Sequence, residues 1–167
     1  MKWIERRFKF DFPAEVYPEL LVRLDSTPNR LKELIANIPR EILTRKSAGS
    51  WSIQENAGHL ITVENLFLGR LDDYEARLKK LRPAKVDGSR TDDAAYNEWP
   101  IEKILTEFEL KRDHYLNRLK NHQPEFFERM SWHPRLDQPM RVCDMLYFQA
   151  EHDDHHLATI FNDLHFH

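Results

Sequence analysis

Apolar residues recur at spacings of three and four through four long stretches of this chain, and prolines or loop-forming residues part the stretches. A chain patterned in this way buries helix faces against one another, so the expected fold is all-α, a four-helix bundle in one domain spanning 1–167. The first stretch runs from about Pro18 to Ile38, with Leu20, Leu21, Leu24, Leu31, Leu34, Ile35 and Ile38 at spacings of three and four. Pro28 lies inside it, which allows one kinked helix or two short ones, and Pro39 marks its end. The second stretch has the clearest start. Ser52 followed by Glu55 matches a capping box, and the apolar arc from Ile53 to Leu71 fades near Leu81, before Pro83.

Residues 82–98 carry Pro83, Gly88 and three aspartates and read as a long connection between the second and third helices. Pro100 suits the first turn of the third helix, which continues to about Pro124. Residues 131–137 read as a loop, with Asp137 capping and Pro139 opening a fourth helix that runs to about Leu164. The helices are expected to be antiparallel. The only alternation suggesting a strand lies at Arg7 to Phe12.

Composition removes several function classes. A net charge of −3 and a pI near 6.3 give no basic excess for phosphate backbones, which argues against nucleic-acid binding. No run approaches the ~18 apolar residues of a membrane span, and the N-terminal Lys2, Glu5, Arg6 and Arg7 are too charged for a signal peptide. Cys143 is the sole cysteine; it cannot form an internal disulfide, and no local signature activates it as a nucleophile. The expected setting is cytoplasmic.

Chemistry concentrates in three of the nine histidines. His152 and His156 are four residues apart, so on a helix both can offer nitrogens to one ion, about 2.0–2.1 Å from each. At 100° per residue, His156 falls within the apolar stripe of the fourth helix and His152 at its edge, whereas His155 lies roughly 130° from the stripe centre and should face outward or toward a neighbour. His59, at the margin of the second helix's apolar arc, is the candidate third ligand. Glu64 lies nearer the centre of that arc; it can orient an imidazole, act as a general base, bind metal or pair with Arg112. A chain with nine histidines places two four apart by chance fairly often, so the pair alone is a weak signal. His114, His122 and His133 show no partner pattern and read as surface or loop residues, while His165 and His167 lie at a terminus.

The run Trp51-Ser52-Ile53-Gln54-Glu55-Asn56-Ala57-Gly58-His59-Leu60, followed downstream by His152-Asp153-Asp154-His155-His156-Leu157-Ala158-Thr159-Ile160, resembles the DinB/YfiT-like superfamily of metal-dependent enzymes. The likeness spans nearly the whole chain, and His133-Pro134-Arg135-Leu136 resembles a segment common in one branch. It implies a four-helix bundle in which His59, His152 and His156 bind a divalent cation, usually zinc or nickel, and it implies frequent homodimers. Members with known roles include transferases that attach low-molecular-weight thiols to electrophiles, and a thiol-dependent isomerase. Thr159 stands where the family often has Gln, which leaves the histidines intact but alters a neighbouring contact.

Three nitrogens leave a coordination position open, which suits catalysis. The leading expectation is therefore transfer of a low-molecular-weight thiol, activated on the metal, to a small-molecule electrophile, with Glu64 and His155 as candidate catalytic groups. The alternatives are hydrolysis by metal-activated water and a non-catalytic, metal-stabilised binding module.

Overall fold

The computed structural model describes residues 2–46 and 49–166; His167 lies outside them. In chain order the elements are α1 (Tyr17–Leu34), a short α2 (Arg40–Leu43), α3 (Ile53–Glu75), a short α4 (Ser89–Asp93), α5 (Ile101–Lys120), a hairpin of β1 (Met130–His133) and β2 (Gln138–Arg141), and α6 (Val142–Phe166). The four long helices form the expected all-α bundle, in which α1 and α3 each pack against both α5 and α6.

The helix directions differ from the antiparallel expectation. Along α3 and α6 the partners run oppositely, with Asn56 on His156, Glu64 on Gln149 and Phe67 on Phe148. Along α3 and α5 they rise together, with Asn65 on Lys111 and Asp72 on Arg118. The same holds for α1 and α6, where Arg23 meets Glu151 and Arg30 meets Asp154. Two neighbouring pairs are therefore parallel. A parallel neighbour requires the chain to return along the bundle, and α3 alone is 23 residues, about 34 Å. The connection between α3 and α5 is long because it makes that return.

Ser52 caps α3 as expected, its hydroxyl accepting from Glu55 N while the Glu55 carboxylate accepts from Ser52 N. The helix stops at Glu75, short of Leu81. Arg77 takes φ 56°, and the amides of Arg77 and Leu78 bond back to the carbonyls of Tyr74 and Asp73, a left-handed cap built without glycine. The first helix is continuous through Pro28. Proline leaves the Leu24 carbonyl without its helical donor, and Arg112 Nη1 supplies one at 2.8 Å.

The segment expected to be a loop and the start of the last helix is instead the β1–β2 hairpin. Trp132 spends its backbone groups on Lys79 and Leu81 rather than on the facing Pro139, which has no N–H to give. Asp137 sits at φ 53° in the turn, and Asp144 takes over the cap, accepting from Arg141 N. Residues 7–12 form no strand; Phe8, Phe10 and Phe12 pack against the core as irregular chain.

Two apolar layers fill the bundle, one around Leu24, Phe67, Tyr115 and Leu146, the other around Leu31, Ile61, Phe108 and Ile160. Between them each long helix contributes a polar residue: Thr27, Glu64, Arg112 and Asp153. Among the described residues, no helix is long and apolar enough to cross a membrane.

Candidate metal centre

The antiparallel α3–α6 pair brings His59, His152 and His156 together. One nitrogen from each lies within 4.8 Å of the others, and no carboxylate or thiol joins the group among the described residues. His152 and His156 are buried and His59 is half-buried. Their rings form one wall of a cavity of roughly 520 Å³.

Neighbouring groups prepare the imidazoles. Asn56 Oδ1 lies 2.9 Å from His156 Nδ1, and its orientation is fixed because the Asn56 amide nitrogen donates to the carbonyls of Ser52 and Trp51. His156 therefore carries its proton on Nδ1 and leaves Nε2 bare. His59 Nδ1 meets Thr91 Oγ1 at 2.8 Å, so the return connection, through α4, holds the second imidazole. Gly58 lets that connection lie close: a Cβ there would overlap the Tyr96 ring.

The donor set fits a divalent cation. Nε2 of His59 and Nε2 of His152 are 3.3 Å apart. Two imidazole nitrogens bound tetrahedrally at 2.0–2.1 Å stand about 3.3–3.4 Å apart. Burial lowers the pKa of all three rings, His59 to about 4, aided by His155; His152 and His156 also feel the neighbouring imidazoles. Neutral rings are the form that binds metal.

The other expected site residues divide. Glu64 is buried with both oxygens engaged, Oε1 accepting from Arg112 Nε at 3.0 Å and Oε2 from Arg112 Nη2 and Gln149. It does not line the cavity. The structure thus places it in the ion pair with Arg112 rather than at a position to take a proton from a bound ligand. Asp153 is held likewise by Arg112 and Thr27. Burial raises both carboxyls, against the pull of Arg112.

His155, expected to face outward or toward a neighbour, is half-buried and lines the cavity, its ring 5.2 Å from His156 and 5.8 Å from Trp3. The neighbour is not another helix but the N-terminal segment, which folds over that flank of α6. Burial and the nearby Arg6 lower its pKa. Thr159 also lines the cavity, but its hydroxyl donates to the His155 carbonyl.

Sequence reasoning missed four contributors. Thr91 and Asn56 hold the histidines, and Trp3 packs its edge on His152 with ring centres 5.1 Å apart. His133, read as a surface or loop residue, is buried in β1. Only Asn56 left a local signal, three residues before His59 on the same helix face.

A family model for the DinB superfamily matches residues 23–160. No curated protein matches the sequence significantly. Among solved structures, YfiT from Bacillus subtilis, described as a probable metal-dependent hydrolase with an unusual four-helix bundle topology, is similar with a TM-score of 0.81 at 17% identity, over 95% of this chain and 91% of that one. A Streptococcus pneumoniae protein is similar with a TM-score of 0.67 at 12% identity, over 93% and 90%. The match of the family model over most of the sequence shows that this chain belongs to the DinB superfamily.

Proposed function

We propose that the protein is a metal-dependent enzyme that transfers a low-molecular-weight thiol to an electrophilic small molecule. The observation that carries this reading is the convergence of three imidazole nitrogens on a cavity wall with no fourth protein donor among the described residues. A divalent cation held there, zinc or nickel, supplies the acidity that makes a thiolate available near neutral pH.

The chain's residues supply the rest. Asn56 and Thr91 fix the imidazoles, and the Trp3 and Trp51 rings, 5.1 Å from His152 and 4.6 Å from His59, shield the site from water. His155 takes the thiol proton; the sulfur then bonds to the electrophilic carbon as the leaving group departs with its electron pair. A thiol, with an ordinary pKa of about 8.5, needs far less help to ionise than water. That favours thiol chemistry at a centre near which the buried carboxylates of α3 are committed elsewhere, Glu55 to Lys46 and Glu64 to Arg112.

The description of YfiT favours a second reading, hydrolysis by metal-activated water on the same residues. Metal-loaded protein can be assayed with an activated aryl halide, with and without cysteine, and with a p-nitrophenyl ester without thiol. Turnover that needs both metal and thiol supports transfer, and thiol-independent ester cleavage supports hydrolysis. Inactivity in both, with strong thermal stabilisation by metal, would leave a metal-stabilised binding module.

A further inference from the structure

The far end of the same cavity holds two arginines and a histidine whose hydrogen-bonding capacity is largely unused. Arg70 on α3 is 1% exposed, yet its single hydrogen bond within the described residues is a 3.3 Å contact from Nε to the Arg82 carbonyl. Asp73, one turn on, is taken by Arg82 through Nε and Nη2. Arg135 donates Nη1 to the Ile4 carbonyl, while its buried Nη2 has no partner. His133, also 1% exposed, accepts from Leu136 N at Nδ1, so its proton sits on Nε2, and that buried N–H has no acceptor. All three residues line the cavity.

A buried guanidinium without a counter-ion is costly, and buried donors are normally satisfied. Arg70 is lowered to about 10, chiefly by burial, and remains charged at neutral pH. The fork of an arginine matches the oxygens of a carboxylate or phosphate. Lys2, Lys85 and Arg90 add positive charge to the walls, against one lining carboxylate among the described residues, Asp163.

The spacing also gives a length. His59 and Arg70 are eleven residues apart on α3, which puts them on one face about 16 Å apart at the backbone. Helical side chains lean toward the N-terminus, so Arg70 reaches back toward the histidines. Between the two ends lie aromatic rings: Trp3 is 5.1 Å from both His152 and Phe148, and Phe148 is 5.3 Å from His133.

We propose that Arg70, Arg135 and the Nε2–H of His133 form an oxyanion subsite for the carboxylate or phosphate of an elongated substrate whose apolar body lies along Trp3 and Phe148 and whose reactive end meets the histidines. The inference rests on the reading of this cavity as a substrate site, but binding can be measured without turnover. Calorimetric titration of the full chain, metal-loaded and chelator-treated, with 4-phenylbutyrate, 4-phenylbutyramide and phenyl phosphate tests it directly.

The anions bind more tightly than the amide by on the order of 10- to 100-fold, the range for charge-assisted hydrogen bonds. Tighter binding of phenyl phosphate than of 4-phenylbutyrate identifies phosphate as the group recognised, and the reverse order identifies carboxylate. Arg70→Met, which replaces the unpaired charge with an apolar side chain, abolishes the preference and leaves metal content and amide affinity unchanged. Arg135→Met weakens the preference in the same direction and serves if the first variant does not fold. Equal affinity for anions and amide, no measurable anion binding, or a preference surviving both variants overturns the proposal. Loss of turnover with the anion preference intact refutes the proposed reaction alone.

Discussion

Arg112 ties all four long helices together, and its removal is the sharpest test of how the bundle holds the histidines in place. Its guanidinium donates to Glu64 on α3, to Asp153 on α6 and to the Leu24 carbonyl that Pro28 leaves open on α1, while its own backbone belongs to α5. Both carboxylates and the arginine are almost completely buried. Burial works against the Arg112 charge, yet Asp153 and Glu64 leave its pKa above the ordinary value. Arg112→Met keeps most of the volume but leaves two carboxylates and a carbonyl facing one another without a cation, with only Gln149 and Thr27 still donating to the carboxylates. Breaking a buried pair from one side costs about 3–5 kcal/mol. With a urea dependence of about 2 kcal/mol per molar, the unfolding midpoint should fall by about 2 M. The measurement is urea unfolding of metal-free protein followed by circular dichroism, so that metal binding does not mask the loss. Adding Glu64→Gln and Asp153→Asn to Arg112→Met should recover most of the stability, because the uncompensated charges are then gone. A loss below about 1 kcal/mol, or no recovery in the triple variant, would refute the assignment of this cluster as the polar tie between the helices.

Three further outcomes follow from the same geometry. Glu64→Gln should retain one metal per chain and any turnover within a few-fold; a loss of two orders of magnitude with metal retained would restore Glu64 as the proton acceptor. Asn56→Leu, read by competition with a chelator, should weaken metal binding about 10- to 100-fold while the helical spectrum is unchanged, because His156 loses the partner that fixes its tautomer. His133 is held neutral in the folded state, with its pKa lowered to about 3 by burial and by Arg70 and Arg135. The unfolded chain binds that proton near pH 6.5, so its contribution is present above pH 6.5 and is lost as pH falls toward 3. The loss by pH 4.5 is about 2–3 kcal/mol, and His133→Gln should flatten the stability profile across that window.

The sequence made the bundle legible where a local rule decides the outcome. Ser52 and Glu55 cap α3 because both reciprocal bonds are local, and the i, i+4 spacing of His152 and His156 needs only a helix. It left the answer open, or missed it, where a distant segment decides. Pro28 is tolerated because Arg112, on another helix, supplies the missing donor. His155 is covered because the N-terminal segment returns across α6, and Asp137 closes a hairpin because β1 pairs with residues near Lys80. The parallel α3–α5 pairing could be read only as a connection of unusual length. Arg70 gave no signal at all, since nothing in its neighbourhood along the chain shows that its charge ends buried in a cavity.

The central claim is that three imidazoles from α3 and α6 hold one divalent cation. Elemental analysis of purified protein, with anomalous scattering to locate the ion in crystals, tests it most directly. The account predicts one zinc or nickel per chain, bound between His59, His152 and His156 and lost in His152→Ala. Protein that takes up no metal when both are supplied, or that keeps its metal in His152→Ala, would contradict it.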